Sequence, residues 1–245
     1  VTAGDLNGGQ MMQSVHNFEQ EGNYTFNEAE HRAPVMGWAK QQFGEAVAPN
    51  GKPAWQNFTK WFGDSKVVDA EGKPLVVYHG TPNEFTSFDL DKTGSTTDAG
   101  ALGKGFYFSS DHRVVEKKQR KMEVYLSLQN PLHLALPDWK TEKLDLVAQA
   151  LGVKNTGMNS ETSEAIREAA LAKGYDGIVL DYSPAGYKHQ EIVAFSPNQI
   201  KSATGNQGNF SPTDASILNQ DLVDKVAQAL TENGPDIGSP VALPP

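Results

Sequence analysis

The middle of the chain is written in short runs of β-branched and aromatic residues, each closed by a turn signal, and this limits the fold more than any other feature. Lys66-Val67-Val68-Asp69 leads into the turn Glu71-Gly72-Lys73-Pro74. Leu75-Val76-Val77-Tyr78-His79 reads as a buried strand, and Phe106-Tyr107-Phe108-Ser109-Ser110 as a second. Residues 122–128 alternate as a third, with Asn130-Pro131 closing it. Asp176-Gly177-Ile178-Val179-Leu180 and Glu191-Ile192-Val193-Ala194-Phe195 follow, and Asn198-Gln199-Ile200-Lys201-Ser202-Ala203 reads as a turn that locks the last strand. Helical spacing lies mostly elsewhere. Residues 24–47 put Phe26, Val35, Met36, Trp38, Ala39 and Phe43 on one face, with Pro34 predicting a break or a new start. Trp55, Phe58 and Phe62 predict a short helix stopped by Gly63. Further helices are expected over residues 141–151, 162–173 and 214–230, the last presenting Ile217, Leu218, Leu222, Val226 and Leu230. Strands mixed with segregated helices indicate an α+β fold, not a doubly wound parallel sheet.

Composition removes whole classes of function. The 245 residues contain no Cys, which excludes a disulfide framework, a thiolate metal site and a Cys nucleophile. No apolar run is long enough to span a bilayer, and the first residues do not form a signal peptide. A soluble chain acting in a bacterial or host-cell cytoplasm is expected. The net charge of −9 argues against a general nucleic-acid binder, although a local basic patch overrides a global sign. The length suits one substantial domain plus extras, expected as a monomer. Because the first residue is Val1, the sequence predicts a processed form or a piece of a longer parent whose other domains would be partners.

Several features are placed to carry chemistry, each with a plainer alternative. His79 ends a buried strand and projects into whatever cleft the strand opens on, while Gly80 permits close approach of a ligand; a structural histidine is the alternative. Gly103-Lys104-Gly105 precedes an aromatic strand. This is no P-loop, since the spacing differs and a strand follows. Period-2 geometry puts Phe106 and Phe108 on one face and offers Tyr107 to the other. Glu191 opens its strand either as a solvated end or as a fixed carboxylate aimed into a site. Arg113, Lys117, Lys118, Arg120 and Lys121 concentrate positive charge in residues 111–121, which read as a helix or turn. Residues 82–104 form a loop long enough to be functional or disordered.

In this order the segments resemble an ADP-ribosyltransferase of the His-Tyr-Glu class, the branch of diphtheria-type toxins and poly(ADP-ribose) polymerases. The resemblance is carried by Val77-Tyr78-His79-Gly80-Thr81, by Gly103-Lys104-Gly105-Phe106-Tyr107-Phe108, and by Glu191 to Phe195. It is nearest to the domains of polyvalent proteins of phages and mobile elements, which share the Trp61-Phe62-Gly63-Asp64-Ser65-Lys66-Val67-Val68 lead and the segment from Asn198 to Ala203. The resemblance implies a split β-sandwich with flanking helices. It divides the chain into a partly helical extension (1–55), a catalytic domain (56–212), an amphipathic helix (213–234) and a disordered Pro-rich tail (235–245). It implies NAD⁺ as substrate and no metal. Glu191, His79 and Tyr107 are then the catalytic residues, and His79, Gly80, Thr81, Gly105, Phe106, Tyr107 and Ser109 bind NAD⁺. By the same resemblance His79 holds the adenosine-side ribose, Gly80 offers its backbone to the carboxamide, Tyr107 stacks on the pyridinium, and Glu191 bonds the 2′-hydroxyl of the nicotinamide ribose.

The sequence departs from the family pattern at two places. A Ser and a second stacking Tyr fall on Val115 and Lys118 in an ungapped reading. Ser109 or Ser110 replaces the first by type, and Phe106 or Tyr182 stands in for the second. No Glu-x-Glu precedes the strand, so an Arg acceptor has no motif support. Asp89, Asp91, Asp98, Asp181, Tyr182 and Tyr187 line the loops that flank the acceptor side and favour a cationic protein surface over nucleic acid. The expected activity is mono-ADP-ribosyl transfer, toxin- or phage-associated. An NAD⁺ glycohydrolase, a nucleic-acid ADP-ribosyltransferase and a degenerate NAD⁺-binding module are the alternatives.

Overall fold

A computed structural model describes residues 28–93, 100–117 and 120–218. Seven strands form one hydrogen-bonded sheet: β1 (Val77–Thr81), β2 (Phe106–Ser109), β3 (Arg120–Leu126), β4 (Leu132–Ala135), β5 (Gly177–Asp181), β6 (Gln190–Ala194) and β7 (Ile200–Ser202). Their spatial order is β4-β5-β6-β2-β1-β3-β7. All pairings are antiparallel except β4 with β5. That parallel pair needs a crossover. It is supplied by helices α3 (Lys143–Leu151) and α4 (Ser160–Ala172). Two earlier helices, α1 (Glu28–Phe43) and α2 (Ala54–Phe62), precede the sheet.

The sheet is nearly divided at its centre. Where β1 and β3 register over five residue pairs, β1 and β2 share only Tyr78 with Ser109. Beyond that pair the strands diverge, leaving halves β4-β5-β6-β2 and β1-β3-β7. Strand alternation then sorts the side chains. Val77, Phe106, Phe108, Val124, Ile192 and Ala194 bury on one face, which residues 82–93 cover through Phe85, Phe88 and Leu90. The opposite face is covered twice. Leu144, Val147 and Leu151 of α3 and Ile166 and Ala170 of α4 pack on Ile178, Leu180 and Val193 of one half. Phe58, Trp61 and Phe62 of α2, with Val35 and Ala39 of α1, pack on Tyr125 of the other half and on Phe210.

Several elements differ from the sequence expectations. α1 runs through Pro34 without a break, because Val35 and Ala39, both buried, with Trp38 and Phe43 hold the turns beyond it. Met36, expected on the packed face, is exposed. Residues 111–121 are not one helix: a 3-10 turn at His112–Val114 is followed by β3, which takes in Arg120 and Lys121. β4, a strand of four residues beyond Pro131, was not legible as a strand. Residues 214–218 are not helical. Ser216 bridges Ser87, the Ile217 N–H donates to the Thr86 carbonyl at 2.8 Å, and the rest of the expected helix lies outside the described residues. The fully buried Lys201 anchors this segment by donating to the backbone carbonyls of Asp214 and, at 2.8 Å, Ser216.

Candidate active site

The split between the half-sheets opens into a cleft of about 1260 Å³ that takes in every residue assigned to NAD⁺ from the sequence. It also takes in Glu191 from β6, Lys143 from the start of α3, and Tyr182 and His189 from the segment joining β5 to β6. Its volume exceeds the ~300–1,000 Å³ of ordinary small-ligand pockets.

Register explains why these side chains meet. Ser109 pairs with Glu191 and Tyr107 with Val193, so Tyr107, Ser109 and Glu191 share one face of adjacent strands. Phe106 and Phe108 share the other. His79 alternates onto the Phe108 side, where its ring meets Phe85, Phe88 and Phe108 at 6.3, 5.1 and 5.6 Å between centroids. The separation of β1 from β2 joins the two faces into one cleft. His79 also compensates for the lost ladder: its Nδ1 lies 2.8 Å from the Tyr107 carbonyl. A carbonyl only accepts, so the neutral ring carries its proton on Nδ1, and Nε2 is the acceptor nitrogen.

Tyr107 is fixed at both ends of its hydroxyl, which donates to the Gly103 carbonyl at 2.7 Å and accepts from the Leu102 N–H at 3.0 Å. The loop fits only because of its glycines. Gly103 has φ +93, and a Cβ there would stand 2.7 Å from Ile166. At Gly105 a Cβ would stand 2.5 Å from Val193 and 2.7 Å from the Ala194 carbonyl, so this glycine serves the close approach of β6. Thr81 and Ser109 are buried, and each accepts a backbone N–H, from Asn83 and Asp111 respectively. Of the two residues expected to stand in for the second stacking Tyr, Phe106 points to the face away from Tyr107. Tyr182 lies on the Tyr107 side. Val115 is buried and lines the cleft.

Glu191 is the most constrained polar group in the cleft. Lys143 Nζ donates to its Oε1 at 3.0 Å and its Oε2 at 2.9 Å, and the Tyr182 hydroxyl donates to Oε2 at 2.7 Å. Tyr182 stacks in turn on His189, with centroids 4.4 Å apart. The carboxylate is thus aimed into the site and not solvated at a strand end. Lys143 was invisible to sequence reasoning, being one Lys opening an amphipathic helix 48 positions away.

Many of the charged residues on both surfaces have local partners. Three members of the basic cluster have carboxylate partners: Arg113 pairs with Asp111 at 2.6 Å, Arg120 with Glu84 at 3.2 Å and Lys121 with Glu123 at 3.0 Å. The Arg113 guanidinium holds the Asp111 carboxyl down to about 2. Lys118 lies outside the described side chains. The acidic loops are also engaged. Asp89 caps the 3-10 turn at Leu90–Lys92 and pairs with Lys92, while Asp181 accepts from the Ser183 N–H and hydroxyl. Asp98 lies outside the described residues. Among the described residues, Arg113, Arg120 and Lys121 on one surface and Asp89 and Asp181 on the other are thus engaged locally. Among the described residues no cluster of His, Asp and Glu is arranged to hold a metal ion, and no helix is long and apolar enough to cross a membrane.

No curated protein matches the chain. A solved structure described as the crystal structure of an anti-CRISPR protein aligns at 13% identity, covering 49% of this chain and 88% of the other with a TM-score of 0.28, too low to carry an argument. The family model for the ADP-ribosyltransferase in polyvalent proteins matches residues 69–210, a span that includes β1 to β7 and every side chain of the cleft named above. With more than half its length matched, and with a mostly antiparallel α+β sheet, the chain belongs to the ADP-ribosyltransferases of polyvalent proteins.

Proposed function

We propose that the chain transfers a single ADP-ribose from NAD⁺ to a protein acceptor and releases nicotinamide, with Glu191, Tyr107 and His79 in contact with the dinucleotide. The observation that carries this reading is the Glu191 carboxylate, held by Lys143 and Tyr182 on the sheet face shared with Tyr107. In NAD⁺ the pyridinium is a flat cation. The half-buried ring of Tyr107, with its hydroxyl pinned, offers it a π face in a fixed place. As the bond from C1′ to the ring nitrogen breaks, its electron pair neutralises the pyridinium and positive charge develops on the ribose. A carboxylate already positioned against that ribose stabilises the developing charge without reorganising. Nε2 of His79 accepts from a ribose hydroxyl, and its Nδ1 bond to the Tyr107 carbonyl keeps that role fixed.

Labelled NAD⁺ incubated with the protein and a whole-cell lysate, split into protein and nucleic-acid fractions, tests the reading. Nicotinamide release with label in the protein fraction is expected. Glu191→Gln lowers nicotinamide release about 10²–10³-fold, the usual loss when a preorganised electrostatic group is removed. Unchanged release by that variant rejects the assignment. Release with no labelled macromolecule makes the protein a glycohydrolase.

A further inference from the structure

The bonding of Glu191 limits what the acceptor is. This inference rests on the role given to Glu191 above. An ionised carboxylate offers about four lone-pair positions. Lys143 takes one on each oxygen and the Tyr182 hydroxyl takes a second on Oε2. One position remains, on Oε1, and the ribose hydroxyl fills it. Glu191 then has no capacity to receive a proton from an incoming nucleophile. The acceptor side of the carboxylate is also not anionic, because an ammonium lies 2.9 and 3.0 Å from its two oxygens. A cationic acceptor meets Lys143 as a like charge. The ammonium has three N–H donors, at most two of them engaged by Glu191, and the third has no partner among the described residues.

We propose that the acceptor is a protein carboxylate, the side chain of an Asp or Glu, received by the third N–H of Lys143. Such a nucleophile arrives already deprotonated. Its oxygen forms the new bond to C1′ as the bond from C1′ to the nicotinamide nitrogen breaks. The electron pair of the broken bond goes to the ring nitrogen, which leaves as neutral nicotinamide. No proton moves, and the product is an ester of ADP-ribose. Lys143 is a specificity-determining residue in this scheme.

The test uses the whole chain with labelled NAD⁺ and lysate protein, followed by neutral hydroxylamine, which cleaves esters, and by mass-spectrometric location of the modified residue. Label lost within minutes and located on Asp or Glu supports the proposal. In Lys143→Met the label transferred per nicotinamide released falls about tenfold, and Lys143→Arg, which keeps the cation, recovers most of it. Label that resists hydroxylamine and sits on Ser, Arg or a nucleobase overturns the proposal, as expected if His189 acted as base for a neutral acceptor. An equal fall in transfer and nicotinamide release in Lys143→Met removes Lys143 from acceptor selection. Nicotinamide release with no label transferred overturns the carboxylate acceptor and leaves NAD⁺ cleavage standing. Absence of release from the unaltered protein fails at the earlier reading, and this one falls with it.

Discussion

Two aromatic regions of the molecule are built on opposite rules. In the belt formed by α1, α2, β3 and Phe210, Phe58 meets Trp38, Phe43, Trp61, Phe62, Tyr125 and Phe210 at centroid distances of 5.0–5.9 Å. Every face and edge of Phe58 is used up on other rings, and the residue is fully buried. Even the phenol there is silent, since burial pushes Tyr125 up to about 12. In the cleft, Tyr107 and Tyr182 are anchored instead through their hydroxyls and remain only partly buried. Holding an aromatic ring by its polar tip immobilises it while a π face remains available to a ligand. Holding it by its faces leaves nothing to bind with. Aromatic content alone therefore does not locate a site; the manner of anchoring does.

The sharpest break in this comparison is Phe58→Ala. It removes the ring on which the belt converges and costs about 3–5 kcal/mol of stability. The urea midpoint falls, while nicotinamide release per folded molecule holds. Glu191→Gln is the mirror case, with activity lost by the factor given above and a melting temperature within a few degrees of the parent. A smaller effect separates the two modes of anchoring within one residue. Tyr107→Phe keeps the ring but leaves the Gly103 carbonyl and the Leu102 N–H without their partner, a loss of about 1 kcal/mol. KM for NAD⁺ should rise more than kcat falls, because the ring loses its fixed place. An unchanged KM would show that the hydroxyl does not set the ring.

The smallest effect concerns His133 on β4. His133 is exposed at the surface, yet partial desolvation by its neighbours, and then the charge of Lys66, hold its imidazole below the ordinary value of 6.5, and solvent screening keeps the effect small. The unfolded chain takes up a proton near 6.5, whereas the folded protein keeps this ring neutral to lower pH. Its contribution to stability is therefore complete above 6.5 and is lost as pH falls below it. Replacing it in His133→Gln should flatten the decline of the melting temperature between about pH 7 and 5. An unchanged slope would assign that decline to other groups.

Much of this was legible in the sequence because it is local. The β-branched runs gave β1, β2, β3, β5 and β6 within a residue or two, and alternation alone put Tyr107 opposite Phe106 and Phe108. Motif order singled out the three strand-borne residues His79, Tyr107 and Glu191, and all three line one cleft. What failed to show was non-local. Lys143 has no sequence mark, since its meaning comes from a crossover that returns α3 to the end of β6. β4 is too short to display a period, and its parallel partner β5 lies more than 40 residues on. Pro34 broke a helix on paper because propensity counts one lost hydrogen bond and cannot count the tertiary packing of Val35 and Ala39. Arg120 and Lys121 read as helix or turn because a charged run has no period to mark the start of a strand.

The buried Lys201 bears on how such a domain can be joined to others in a longer polypeptide. Its ammonium is satisfied by carbonyls of a segment past Phe210, the last residue of the family match. A fragment ended at the edge of that match would discard both acceptors together with the backbone that carries them. The minimal transplantable module is thus set by a lysine and extends through at least Ile217.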